Sequence, residues 1–230
     1  LLTHPSRDQF WQDLSVLDQA GQVTVPALHI GGWFDIFAAN TARSFTELRS
    51  RAGTAEAREG QRLIIGPWDH LNSTGIYPDR RFGLTADAIT QDLTSEHVRF
   101  FDRWLRGRTD AGNGAEPKPP VKIFVMGIDQ WREEQDWPLP DTSYESWYLH
   151  GSGRANTAAG DGRLGTDAPA GTATDTYLYD PLRPVPTLGG RIMLPTTANA
   201  AGAVDQRPAE ARDDVLCFTS EVLTEPVEVT

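Results

Sequence analysis

Two polar residues fall where a parallel sheet would place reacting groups. Asp35 follows the apolar run Val23–Ile30 and the sequence Gly31-Gly32-Trp33-Phe34. His70 follows Leu63-Ile64-Ile65 and the sequence Gly66-Pro67-Trp68-Asp69. A carboxylate and an imidazole of this kind suit acyl transfer by a serine. The serine hydroxyl is a weak nucleophile at neutral pH. A histidine must take its proton and then return it to the leaving group. The carboxylate fixes the imidazole tautomer and stabilises the imidazolium as it forms. Taken alone, Asp35 also reads as a turn residue or helix N-cap, and a single histidine after Gly-Pro is equally ambiguous. The pair carries the reading. Asp69 is the rival acid, but as the immediate neighbour of His70 it is poorly placed to face it.

The elements around these residues explain how they would meet. Phe10, Trp11, Leu14 and Leu17 recur at helical spacing within 5–20. Val23–Ile30 reads as a buried strand, residues 37–51 as a helix with Phe45 and Leu48 on its apolar face, and Leu63–Ile65 as a second strand. Strand, helix, strand at this spacing is a βαβ unit, which implies a parallel sheet. Ligands bind outside the carboxyl ends of such strands, where Asp35 and His70 lie. Residues 67–86 read as a long ordered loop, and residues 87–106 as a helix with Val98, Phe101, Trp104 and Leu105 on one stripe and Gly107 as its stop. Residues 108–120, rich in Gly and Pro, read as a linker. Beyond it, Val121–Val125, Ser146–Leu149, Thr176–Tyr179 and Val215–Phe218 are short strands between turns, an all-β sandwich or jelly-roll pattern. The expected fold is therefore α/β over 1–110, joined to a partial all-β domain over 111–230, with a boundary near 110–118.

Several other chemistries are excluded. No Gly-x-Ser-x-Gly elbow occurs, and Gly151-Ser152-Gly153 lacks the strand–turn–helix setting, so it reads as a plain turn. The nucleophile is expected outside this sequence. Cys217 is the single cysteine, so neither an internal disulfide nor a cysteine zinc site can form; its setting reads as a buried strand. His4 and His150 sit near turns or strand ends, His29 lies within the first strand and His97 on the last helix; none has metal-ligand spacing. Neither a P-loop nor a dinucleotide glycine motif appears in context, and no cofactor or metal is expected. The net charge of −11 argues against nucleic acid and anionic membranes as partners. No apolar run approaches membrane-spanning length, and no signal peptide opens the chain. The chain begins at Leu1 rather than Met, so a further N-terminal segment is expected. A cytoplasmic location rests only on the lack of disulfides, and a homo-oligomer stays open.

Longer stretches resemble one family. Val25–Phe37, with Gly31-Gly32-Trp33-Phe34-Asp35, resembles the acid motif of the cocaine esterase / glutaryl-7-aminocephalosporanic acid acylase family of α/β-hydrolases. Leu63–His70 resembles its histidine motif, and the family's order along the chain is nucleophile, acid, histidine. Phe100–Gly107 resembles the helix that ends its hydrolase domain. Phe124–Gly127 with Trp131, then Trp147–Leu149, Tyr179-Asp180-Pro181, Pro184–Pro186 and Gly189-Gly190, resemble its C-terminal jelly roll. That family includes α-amino acid ester hydrolases and is related to X-prolyl dipeptidyl aminopeptidases. The resemblance implies that Asp35 is the triad acid and His70 the triad base. It also implies that the serine, the oxyanion-hole tyrosine and most of the helical cap lie in a missing N-terminal segment of the same protein, and that the late jelly-roll strands are missing too. The substrate would be a small ester or amide, and the fragment alone would be inactive. Two other readings remain: an X-prolyl dipeptidyl peptidase, and a non-catalytic carbohydrate-binding or structural module built on the β-rich half.

Overall fold

The computed structural model describes residues 3–108, 118–196 and 199–229. Most of the expected linker lies outside them. The helix expected over 5–20 is reduced to α1 (Gln9–Asp13), capped by the Asp8 carboxylate, and a 3₁₀ turn at Ala20–Gln22. Phe10 and Leu14 stay exposed, so the periodic face has little to bury against, and short helices are marginal without packing.

The framework is a four-stranded mixed sheet in the order β1 (Leu28–Phe34), β2 (Arg62–Asp69), β3 (Val121–Val125), β4 (Gln130–Glu134). β1 and β3 both run parallel to β2, and β4 is antiparallel to β3. This corrects two expectations. The sheet is mixed rather than purely parallel, and Val121–Val125 joins the sheet of β1 and β2 instead of opening a separate β-layer. The reason lies in β2. Its residues Leu63–Asp69 are all buried, so both of its edges need a partner. A five-residue apolar run does not itself reveal which sheet it will complete.

Alternation along the strands divides the core in two. On one face, Leu63, Ile65, Val121 and Ile123 pack with Phe45 of α2 (Ala38–Arg51) and with Leu139. On the other, Phe124 packs with Tyr77, Phe82 and Ala86 of the loop that follows β2. α2 buries Ala38, Phe45 and Leu48, close to the face foreseen, and α3 (Ala55–Glu59), capped by Thr54, leads into β2.

α4 (Leu93–Arg106) begins at Asp92, whose side chain accepts from the Ser95 N–H, and ends at Gly107 with φ +64°. The stripe expected to face the core does so only at Trp104, which is half-buried beside Gly60. Val98, Phe101 and Leu105 are exposed, and the buried residue is Glu96. Its carboxylate lies 2.9 Å from Arg99, 3.3 Å from Lys118 and 3.4 Å from Arg62 of β2. A charge network to Arg62 of β2, together with the Trp104 contact at Gly60, fastens this helix. Burial raises the Glu96 carboxyl, but Arg62, Arg99 and Lys118 together outweigh it and hold it below the ordinary range. A carboxylate depressed in the folded state contributes stability above its unfolded value of about 4.5 and loses it as pH falls through the lower folded value. Glu96→Gln is therefore expected to cost about 3 kcal/mol at pH 7, because it leaves the mostly buried Arg62 guanidinium without its carboxylate. The deficit should shrink towards pH 3, as read from urea unfolding at both pH values.

The remaining chain is sparse in regular structure. β5 (Tyr148–His150) pairs antiparallel with β6 (Arg163–Gly165), and α5 (Arg207–Glu210) is a single turn with Pro208 in its first turn. Two expected strands form no ladder. Thr176–Tyr179 is unpaired, with Tyr177, Leu178 and Tyr179 exposed, and Val215–Phe218 contributes only the bridge Asn156–Leu216. Their residue types favour strands, but among the described residues no strand pairs with Thr176–Tyr179, and Val215–Phe218 is met only by the isolated bridge at Asn156. Cys217 is half-buried in this bridged stretch rather than within a strand; its Sγ lies 3.7 Å from the Glu210 carbonyl.

Candidate active site

The site is set by an irregularity between β1 and β2. The two strands run in register from Leu28–Arg62 to Gly32–Gly66, and then the pairing slips so that Phe34 lies opposite Asp69. Without the slip, Asp35 would stand opposite Asp69. With it, the next residues outward are Asp35 and His70. Pro67 has no N–H to give to the ladder at the slip, which removes one constraint on the register. Glycine makes room there. A Cβ on Gly32 would stand 2.2 Å from the Trp68 carbonyl oxygen, and one on Gly66 2.3 Å from the Trp68 indole. Gly32→Ala should therefore destabilise the fold by about 3 kcal/mol or more, measurable as a fall in the urea midpoint, because backbone on the facing strand would have to move.

The result is a short-range contact. His70 Nδ1 lies 3.3 Å from Asp35 Oδ1, with side chains 28% and 16% exposed, so the pair is shielded from bulk water on the acid's side and open on the imidazole's. With Nδ1 turned to the carboxylate, the ring's other nitrogen is left for a proton acceptor's work. Asp35 also fills the turn role read from its sequence position. Its Oδ1 also accepts the backbone N–H of Phe37 at 2.9 Å, closing the turn into α2. The nearby N-terminus of α2 favours a carboxylate at this point. Phe37 packs edge-on to the imidazole, with centroids 5.5 Å apart. The sequence reading missed Phe37 as a neighbour of the site; its position two residues after the acid was the available signal.

The rival acid has another task. Asp69 Oδ1 accepts the N–H groups of Leu71 and Asn72, both at 2.8 Å, and so caps the turn that carries His70. The loop beyond is tied back repeatedly: Trp68 Nε1 donates to the Ala86 carbonyl at 2.7 Å, Tyr77 Oη to the Pro67 carbonyl at 3.1 Å, and the Ala88 N–H to the Ser73 carbonyl at 2.9 Å. Burial, then the Asp69 charge, pushes the Tyr77 phenol well above its usual range, so it stays a donor.

The other histidines stand apart from this pair. His29 is held by Gln61 at 2.8 Å, and burial lowers its pKa despite that bond. His4 pairs with Asp8 at 2.6 Å, and His97 contacts the Leu93 carbonyl at 2.7 Å on the outer face of α4. His150 lines a hollow of about 1010 Å³ with Asp161, Arg163 and Phe218, which includes neither Asp35 nor His70. Ser152 donates to Asp161 within its turn. Among the described residues no cluster of His, Cys, Asp or Glu could hold a metal ion, and no helix is long and apolar enough to cross a membrane.

An acid and a histidine at the carboxyl ends of neighbouring parallel strands make the layout of serine hydrolases of the α/β type. Similarity to known proteins narrows this. The model of the X-Pro dipeptidyl-peptidase (S15 family) matches residues 1–72, and that of the X-Pro dipeptidyl-peptidase C-terminal non-catalytic domain matches residues 113–230. The cocaine esterase of Rhodococcus sp. (strain MB1 Bresler) is 48% identical over 230 residues, which is 100% of this chain and 38% of that protein. A relative from Mycobacterium tuberculosis (strain CDC 1551 / Oshkosh) is 30% identical over 227 residues, 98% of this chain and 31% of its own length. The crystal structure of an aminopeptidase from a marine sediment archaeon, Thaumarchaeota archaeon, superposes with a TM-score of 0.68 at 25% identity, covering 97% of this chain and 35% of that one. The chain belongs to the cocaine esterase and X-Pro dipeptidyl-peptidase family. It spans less than two-fifths of the length of these relatives.

Proposed function

We propose that this chain is part of a serine hydrolase that cleaves ester or amide bonds of small molecules through an acyl-enzyme, with His70 as general base and Asp35 as its orienting acid. The 3.3 Å contact between His70 Nδ1 and Asp35 Oδ1 carries the reading. Family membership and the 48% identity to a cocaine esterase support it. The remaining imidazole nitrogen takes the proton of a serine supplied by another part of the protein as that serine attacks the carbonyl carbon. It then gives the proton to the leaving alcohol or amine. Water enters by the same route in reverse, activated by the same nitrogen, and frees the acid and the serine. Asp35 holds the tautomer and balances the imidazolium. Residues 1–110 would form the C-terminal portion of the catalytic domain. Residues 111–230 would form a jelly-roll-related domain whose first strands are shared with the catalytic sheet.

Fluorophosphonate labelling of the full-length protein, read by mass spectrometry, tests this. The expected adduct is on a serine outside residues 1–230, and His70→Ala should abolish it. An adduct on a serine within these residues, or labelling that survives His70→Ala, would sink the assignment. The match of residues 1–72 to the X-Pro dipeptidyl-peptidase model favours one narrower reading, a peptidase that removes X-Pro dipeptides. Turnover of an Ala-Pro anilide in preference to a simple nitrophenyl ester would select it.

A further inference from the structure

Two stretches of the β-rich half, at Gly189–Arg191 and Gly202–Asp205, reach back onto the carboxyl ends of both strands that carry the dyad. On the β1 side, Arg191 Nε donates to the carbonyl of Trp33 at 3.2 Å, two residues before Asp35. On the β2 side the contact passes through Tyr77. Its hydroxyl holds the carbonyl of Pro67, three residues before His70, and its ring lies against the backbone of Gly202. A Cβ on Gly202, where φ is +85°, would stand 2.0 Å from that ring. Gly190 and Gly202 are bonded to each other through both N–H groups, at 2.7 and 2.9 Å, so the Arg191 and Gly202 contacts belong to one bridged pair. Ala203 packs into the core cluster of Tyr77, Phe82 and Phe124, and the Asp205 N–H donates to Asp79 Oδ2 at 2.8 Å. The seam is thus fixed at several points, of which the Trp33 and Pro67 carbonyls lie within three residues of the dyad.

We propose that this Gly190–Gly202 bridge is a positioning clamp for catalysis, with Arg191 as its principal positioning residue. The clamp sets the spacing of Asp35 and His70 by holding the carbonyls of Trp33 and Pro67. A region described in the family as non-catalytic would then contribute to turnover without touching substrate. The inference rests on the dyad reading above. Arg191 is exposed apart from this contact, so its loss should leave the fold intact and act through geometry.

The test uses the full-length protein, hydrolysis of a 4-nitrophenyl ester, and the rate of fluorophosphonate labelling, which reports serine activation without a substrate pocket. Arg191→Ala is expected to lower kcat and the labelling rate together by about tenfold, within the ~10²-fold that a 1 Å misplacement costs. KM should stay within about twofold and the melting temperature nearly unchanged, since only uniform binding would move KM alone. Arg191→Lys, which keeps a donor, should recover most of the loss. Tyr77→Phe, which keeps the ring and deletes the bond to Pro67, should give a smaller loss of the same kind. The clamp is overturned if Arg191→Ala leaves kcat and labelling unchanged, if only KM rises, or if the lysine variant is as impaired as the alanine variant while stability falls in both. His70→Ala separates the two readings. An inactive His70→Ala beside an unimpaired Arg191→Ala rejects the clamp alone, whereas an active His70→Ala rejects the dyad and the clamp with it.

Discussion

His70→Ala in the full-length protein is expected to lower kcat by roughly 10⁶-fold, the scale seen when the proton carrier of a serine triad is removed. The expectation follows from the polar contact His70 makes. Its Nδ1 is committed to Asp35, so both proton transfers must use the other nitrogen, and no other described histidine stands near enough to replace it. The residual rate would come from whatever oxyanion donors and binding energy the full protein provides. KM should change little. Single-turnover kinetics with a 4-nitrophenyl ester would show this directly, because the burst of acyl-enzyme should vanish with steady-state turnover. A normal burst in the variant would assign the base elsewhere.

Asp35→Asn is the second large effect, expected at roughly 10⁴-fold in kcat. An amide in that place keeps the size and the turn into α2, but its NH₂ can face Nδ1 and favour the wrong tautomer. The structure supplies a matched control in Asp69, which sits one residue from His70 but turns its Oδ1 to the N–H groups of Leu71 and Asn72. Asp69→Ala should lower stability by about 1–2 kcal/mol, as lost capping does, and reduce kcat far less than Asp35→Asn. If the two carboxylate variants exchanged these phenotypes, the acid would have to be reassigned to Asp69.

That contrast also shows what the sequence could and could not convey. The apolar runs located β1 and β2, and with them Asp35 and His70 at strand ends, but not the strand bounds: β1 starts at Leu28 rather than Val23, and both strands run on through the glycines expected to stop them, to Phe34 and Asp69. The choice of His70 as the residue facing Asp35 depends on the slip between Gly32 and Phe34, a matter of how Trp68 folds back over Gly66, which no periodicity encodes. Val121–Val125 read correctly as a strand, but strand type carries no record of partner, and the demand for one came from β2. The stripe on α4 had true helical spacing but faces outward except at Trp104; the acidic residue buried on the inner face, Glu96, was invisible to a reading based on apolar periodicity. Arg191 and Tyr77 were missed for the same reason, since their relevance comes from contacts across 158 and 10 positions. The pair Gly189-Gly190 was the one local sign of a close backbone approach.

The sharing of one sheet by residues from both halves has a consequence for how the protein is made. β2 emerges from the ribosome with its apolar core residues in place, but its partner β3 follows only after α4 and the stretch beyond it, about 52 residues later from Asp69 to Val121. At roughly 5–20 residues per second, that interval lasts several seconds. Throughout it Leu63, Ile64 and Ile65 would present an unpaired strand edge, the kind of surface that pairs with the wrong chain. Nascent chains arrested before Val121 should therefore be held by chaperones or aggregate, and release should coincide with the synthesis of β3.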